Sequence, residues 1–327
     1  RAFHRLILMT HTLIMQRQMT LMKLKTLFTP FVLSLTAIVT VAPTPYSMTQ
    51  ATPRPPQTAA ARPVSAAAPK SFAPSSGIIK PSTPVKPTRN GMMVLNSGLD
   101  RTIKLWRITD GSLLRTFSGE GPMTQNALVR GLDISPDGDQ FASARVDKKV
   151  QLWDMKSGEL LKTFLGHTNY VMSVAFSPDR QTLVSGGGYD RSVRVWNIAS
   201  EKQEQVLEGH QGWILDVAVS PNGQYIASAS NDKTIKLWNA KTGKLVRTLE
   251  GHNGAVRSIA FAPDNNTLYS GSMDRTIKEW DVETGRLMHA LTGHKLPVLS
   301  IGLSPNGRLL ASGSEDKTIN IWKLERK

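Results

Sequence analysis

The 327-residue chain carries 40 Lys and Arg against 25 Asp and Glu, a formal charge of +15, with 40% apolar residues and no cysteine. Its length suits one large globular domain or two modest ones, and the lack of cysteine excludes disulfides, thiol nucleophiles and thiolate metal sites. The basic surplus is local: residues 1–90 hold 11 Lys and Arg and no Asp or Glu, so the remainder sets 29 basic residues against 25 acidic ones, which argues against nucleic acid as the main partner.

In chain order, residues 1–21 are apolar and basic, a segment of unclear status upstream of Met22, which reads as a candidate start. Residues 22–51 have the form of a signal peptide or membrane anchor: Lys23-Leu24-Lys25, an apolar run from Leu27 to Ala42, then small polar residues and prolines, with Ala51 an acceptable cleavage position. The run is 16 residues long and interrupted by Pro30, whereas a membrane span needs about 20. Export to a periplasmic or extracellular space is therefore the expected localisation, with a membrane-anchored or cytoplasmic protein as the alternatives. A membrane partner enters only through an uncleaved N-terminal segment. Residues 52–90 are rich in Pro and Ala and are expected to be a disordered linker, because such a stretch buries too little apolar surface to offset its ordering entropy.

From residue 91 to 327 a fixed period dominates. Trp106, Trp153, Trp196, Trp238, Trp280 and Trp322 are spaced 47, 43, 42, 42 and 42 residues apart. Each stands six residues after an aspartate: Asp100, Asp147, Asp190, Asp232, Asp274 and Asp316. Four are preceded by a Gly-His pair, ending at His167, His210, His252 and His294, and turns such as Ser220-Pro221-Asn222-Gly223 recur between them. Short β-branched and apolar runs lie between these markers, as in Ile214–Val219, Tyr225–Ser228, Thr234–Trp238 and Leu245–Leu249. Four strands joined by tight turns make one antiparallel blade, and blades must stack about an axis to bury both faces. An all-β, six-bladed propeller is predicted, with the first and last blades incomplete; a seven-bladed parent that has lost N-terminal repeat sequence is the alternative. In the first blade no inner strand is evident, because Pro81–Pro87 contains three prolines. In the last, Ser71 to Lys80 are candidates for a closing strand, and closure by residues of roughly 70–90 is expected to be weak or absent.

The Gly-His pairs, the turn aspartates and the Trp-Asp ends at Trp153-Asp154 and Trp280-Asp281 resemble the WD-repeat family, with five full repeats and one partial one. The compact, nearly identical copies look most like bacterial members. The resemblance implies a protein-interaction scaffold and a hydrogen-bonded chain within each blade, from Trp through Ser and His to Asp. The positions that match are His167, Ser185, Asp190 and Trp196; His210, Ser228, Asp232 and Trp238; His252, Ser270, Asp274 and Trp280; and His294, Ser312, Asp316 and Trp322.

Four copies of a His-Ser-Asp set argue for structure, since a catalytic centre is needed once. No phosphate loop, nucleophile elbow or zinc-ligand spacing is present, so the chain reads as a non-enzyme without cofactor or metal. An enzyme built on the central channel would need inward-facing, non-repeating acids or histidines, and none is evident. A regulatory or sensor module of a signalling system is a further alternative that rests on family analogy. In the family, partners sit on the face carrying the Gly-His and turn-aspartate loops. The positions there point to Tyr170, Tyr189, Trp213 and Met273 as an aromatic and thioether arc for a protein or peptide, with Asn231, Lys295 and Glu315 among the polar groups around it. The second repeat lacks its histidine, so its polar network is expected to be weaker. Oligomeric state is not legible from the residues.

Overall fold

The computed structural model describes residues 85–88, 91–98, 100–117 and 128–324. The segments 1–21 and 22–51, nearly all of 52–90 and any closing strand from Ser71 to Lys80 lie outside these residues. The described residues form six antiparallel sheets in which the strands follow one another in sequence order: five have four strands and the last has three. The first strands pack neighbour against neighbour from blade to blade, which makes them the inner strands around the axis.

Position within a blade sets composition. The second strand is enclosed by adjacent blades on both sides, so it is filled with small residues. In blade 4, Tyr225–Ser230, the last four residues Ala227, Ser228, Ala229 and Ser230 are fully buried. The outer strand is exposed except where its end turns inward: Leu245–Leu249 buries only Leu249. Apolar clusters therefore lie between blades. One joins Leu152 and Phe164 of blade 2 to Val171, Leu183 and Trp196 of blade 3, and another joins Val195 and Leu207 of blade 3 to Ile214, Ile226 and Trp238 of blade 4. Each large side chain buried this way stabilises by about 1.5–3 kcal/mol, so no blade is stable without its neighbour.

The Ser-Pro-Asn-Gly turns have a specific geometry. Ser220 Oγ accepts the Tyr225 N–H at 2.9 Å, and the Gly223 N–H bonds to the Ser220 carbonyl at 2.8 Å, with Gly223 at φ +72° where glycine is favoured. The same turn closes the first hairpin, which corrects the reading of blade 1. Thr88 Oγ1 accepts the Met93 N–H at 3.1 Å, and the Gly91 N–H bonds to the Thr88 carbonyl at 2.8 Å. A strand precedes that turn. Val85–Pro87 pairs antiparallel with Met93–Ser97, so the first blade has its inner strand, and among the described residues the propeller reaches back past 91 to residue 85. That strand is three residues long, against six in the other blades, because prolines at 84 and 87 supply no N–H to extend the ladder. The last blade ends at its third strand, Ile319–Lys323.

Candidate interaction face

Within blades 3 to 6 the recurrent polar residues meet. In blade 3, Trp196 Nε1–H donates to Ser185 Oγ at 2.8 Å, Ser185 lies 2.7 Å from His167 Nε2, and His167 Nδ1 lies 2.7 Å from Asp190 Oδ2. The corresponding distances are 2.9, 2.8 and 2.7 Å for Trp238, Ser228, His210 and Asp232. They are 2.7 Å throughout for Trp280, Ser270, His252 and Asp274. For Trp322, Ser312, His294 and Asp316 they are 2.9, 2.7 and 3.0 Å. The indole can only donate, so the hydroxyl oxygen accepts from it and leaves its own O–H to donate to His Nε2, while Nδ1–H donates to the carboxylate; in blade 3, where burial disfavours the charged ring, this order assigns the neutral Nδ1–H tautomer to His167.

The charges follow from this wiring. Burial pushes the His167 imidazole below its usual range, and the Asp190 carboxylate only partly opposes that. Burial pushes Asp232, Asp274 and Asp316 up, but hydrogen bonds from histidine, the threonine two residues on and backbone amides outweigh it and hold all three well below the usual carboxylate range. Each hydroxyl is engaged on both sides and fully buried, so none is presented to solvent as a nucleophile. Among the described residues no group of three or more His, Asp or Glu is placed to hold a metal ion.

The first two blades solve the same problem with other residues. In blade 2, Trp153 Nε1–H donates to Ser143 Oγ at 3.0 Å, and the aspartate without a histidine is taken by Arg145. The guanidinium binds Asp147 through Nε at 3.1 Å and Nη2 at 3.1 Å, and Arg145 is only 4% exposed. The expected weaker network is a differently charged one. In blade 1, Asn96 Oδ1 accepts the Trp106 Nε1–H at 2.6 Å, and Asp100 pairs with Lys104 at 2.5 Å. Both substitutes were visible in the sequence at aligned positions, Asn96 at the serine position and Arg145 two residues after Ser143.

The turn aspartates also build the face above them. The residue before each aspartate bonds back to the residue that opens the inner strand: Asn231 N–H to the Trp213 carbonyl at 2.9 Å, Met273 to Ala255 at 2.9 Å, and Glu315 to Pro297 at 3.0 Å. In blade 3 that bond is made by Gly188, to the Tyr170 carbonyl at 2.7 Å. Tyr189 is thus one residue more than its counterparts have, and the extra length projects it to 57% exposure. Its ring centroid lies 4.2 Å from that of Trp213 on blade 4 and 6.4 Å from that of Tyr170. The structure brings these three aromatics together. Met273 is exposed on blade 5, and Asn231, Lys295 and Glu315 are exposed at their turns, outside the aromatic cluster.

The channel corrects one expectation. Two inner-strand acids do not repeat, Asp133 and Asp216, and neither was recognised from the sequence. Asp133 Oδ2 accepts the Phe176 N–H of blade 3 at 2.9 Å, while Lys86 of blade 1 lies 3.4 Å from its other oxygen. Asp216 accepts from Ser173 of blade 3 at 2.8 Å and from the Ile259 N–H of blade 5 at 3.0 Å, and burial pushes its carboxyl up. Both acids staple neighbouring blades. The alanines, serines and glycines aligned with them hide the signal, because a single acid in a repeat reads as a surface change.

The WD domain, G-beta repeat family matches residues 111–154, 158–197, 201–239, 243–281 and 285–323. Each match runs from the outer strand of one blade through the third strand of the next. The mouse cilia- and flagella-associated protein 52 is 26% identical over 92 residues, which covers 28% of this chain and 14% of that protein. With five tandem matches over more than half its length and six antiparallel blades in register, the chain belongs to the WD-repeat family of β-propellers.

Proposed function

We propose that this protein is an exported, tethered scaffold that presents its Gly-His face to a protein or peptide partner and performs no catalysis. The observation that carries the reading is the cluster of exposed Tyr170 and Tyr189 with half-buried Trp213, the rings packed edge-on and tilted, at the junction of blades 3 and 4. Aromatic surface held rigidly in water gains about 25 cal/mol per Å² when covered, and aromatic residues on preformed scaffolds dominate binding energy. A one-residue insertion that departs from the repeat to build this cluster supports a role beyond folding. The compact repeats support a bacterial source. Export rests on the basic start, apolar run and small-residue exit of residues 22–51.

The test is affinity capture from membrane and periplasmic fractions with wild type and Trp213→Ala, followed by titration of the captured protein in purified form. Loss of binding of about tenfold or more, with unfolding temperatures matched, is expected for removal of an aromatic anchor. Equal binding by the folded variant overturns the arc as the contact surface. A reporter fused after Ala51 that stays cytoplasmic overturns export.

A further inference from the structure

The last blade is one strand short, and the other five define what is missing. Its third strand, Ile319–Lys323, has no outer neighbour among the described residues. In each complete blade the residue near the start of the third strand pairs with an apolar residue of the outer strand: Ile103 with Phe117, Val150 with Phe164, Val193 with Leu207, Ile235 with Leu249 and Ile277 with Leu291. That Phe or Leu is at most 5% exposed, and it also packs on the next blade. The Phe117 ring centroid lies 4.7 Å from that of Phe141 and 6.3 Å from that of Trp153, and Leu291 shares a cluster with Leu310 and Trp322.

The seam from blade 6 to blade 1 has the walls of this socket without the residue that fills it. Ile319 is half-buried, as are Val94 and Trp106 at the positions of Phe141 and Trp153, whereas each of their counterparts in the complete seams is at most 2% exposed. Among the described residues Ala311, Ile319 and Ile321 form a cluster that includes nothing from blade 1. The inner end of this seam is open too. Ser173, Asp216 and Ser258 each accept a backbone N–H of the next inner strand, from Val217, Ile259 and Ile301, at 3.3, 3.0 and 3.3 Å. Ser300 stands at the same position, and its Oγ is buried without a partner, a cost that a donor would remove.

A second requirement is polar. Two residues before the apolar one, the outer strand carries a donor that reaches the turn of the next blade. Arg115 donates to the Ser157 carbonyl at 2.7 Å, Lys162 to those of Ile198 and Ala199 at 2.8 and 3.0 Å, and Gln205 to those of Ala240 and Lys241 at 3.1 Å. The corresponding carbonyls of blade 1 are those of Ile108 and Thr109. The vacancy therefore calls for Lys, Arg or Gln, then any residue, then Phe or Leu. Lys70-Ser71-Phe72 has that form, but Pro69 and Pro74 leave four residues between them, and the outer strands here are five or six residues long.

We propose that the open edge of blade 6 takes an extended segment of a partner protein as its fourth strand, with a Phe or Leu in the socket of Val94, Trp106 and Ile319 and a basic or amide side chain on the turn of blade 1. Backbone pairing along Ile319–Lys323 supplies affinity, and the two side chains supply selectivity. This surface lies on the outer rim, separate from the aromatic cluster of the Gly-His face, and so goes beyond the function proposed above.

The probe is a fluorescent peptide with the sequence of residues 242–250, which contains the outer strand of blade 4, titrated with the full chain up to about 1 mM. Saturable binding is expected. Leu249→Ala or Arg247→Glu in the peptide should each weaken it about tenfold or more, as should Ile319→Lys in the protein. The peptide changes cannot unfold the protein, so they carry the test if Ile319→Lys does. Trp213→Ala should leave the affinity unchanged; loss of binding there, with Ile319→Lys unaffected, moves the contact to the Gly-His face and overturns the proposal. Equal affinity for the altered peptides overturns the socket. No binding by wild type overturns the open edge, and binding that appears only with a Phe72→Ala chain does so by showing that the protein's own segment takes that place.

Discussion

Ser270→Ala removes one oxygen from the centre of blade 5 and disconnects two groups at once. Trp280 Nε1–H loses its only acceptor, 2.7 Å away, and His252 Nε2 loses the hydroxyl at 2.7 Å. Trp280 is 1% exposed and Ser270 fully buried, so water cannot replace the oxygen without opening the junction between blades. Each orphaned buried group costs about 1–3 kcal/mol, and relaxation of the imidazole toward Asp274 recovers part of it, leaving an expected loss of about 3 kcal/mol. For a domain of this size that lowers the unfolding temperature by roughly 6–12 °C. Urea denaturation followed by circular dichroism measures the loss, and a cycle with Trp280→Phe isolates the indole contribution. Phe carries no N–H, so Ser270→Ala should cost about 1 kcal/mol less in that background. A loss under about 0.5 kcal/mol for Ser270→Ala, or no coupling in the cycle, refutes the view that these chains hold the blades together.

Two further outcomes follow from the same wiring. Arg145→Met strips the buried guanidinium from Asp147 and should destabilise the protein by about 2–3 kcal/mol, below the full cost for a buried pair because Asp147 keeps some solvent contact; a stabilised variant in thermal denaturation would show the pair to be dispensable. Stability should fall with acid in two stages. His167 stays neutral in the folded state below the usual histidine range, so protons bind the unfolded chain preferentially and stability drops as pH falls below about 6.5. Asp190, Asp232, Asp274 and Asp316 have depressed folded values, so the stability they confer is present above about pH 4 and disappears as pH falls through those values. Denaturant midpoints measured from pH 7 to pH 3 that stay flat would contradict both stages.

The sequence by itself determined the repeat and the antiparallel blades, six of them with a seven-bladed parent left open; the polar chains of blades 3 to 6 came with the family resemblance of the recurring residues. These follow from short-range patterning, because alternation, tight-turn residues and a 42-residue period act locally and recur. The first inner strand was hidden by prolines, yet Thr88–Gly91 repeats the turn of Ser304–Gly307 and implies a strand before it. Tertiary structure alone decided the rest. Alignment placed Tyr189 as the equivalent of Asn231; the 43-residue spacing of Trp153 and Trp196 already records one extra residue in that blade, and the backbone bond of Gly188 shows it to be Tyr189, leaning on the next blade. Asp133 and Asp216 acquire their partners from blades some 40 residues away in the chain. A repeat pattern records what every blade needs in order to fold; what the face can bind depends on the residues that differ between blades, and their meeting is set by how neighbouring blades pack.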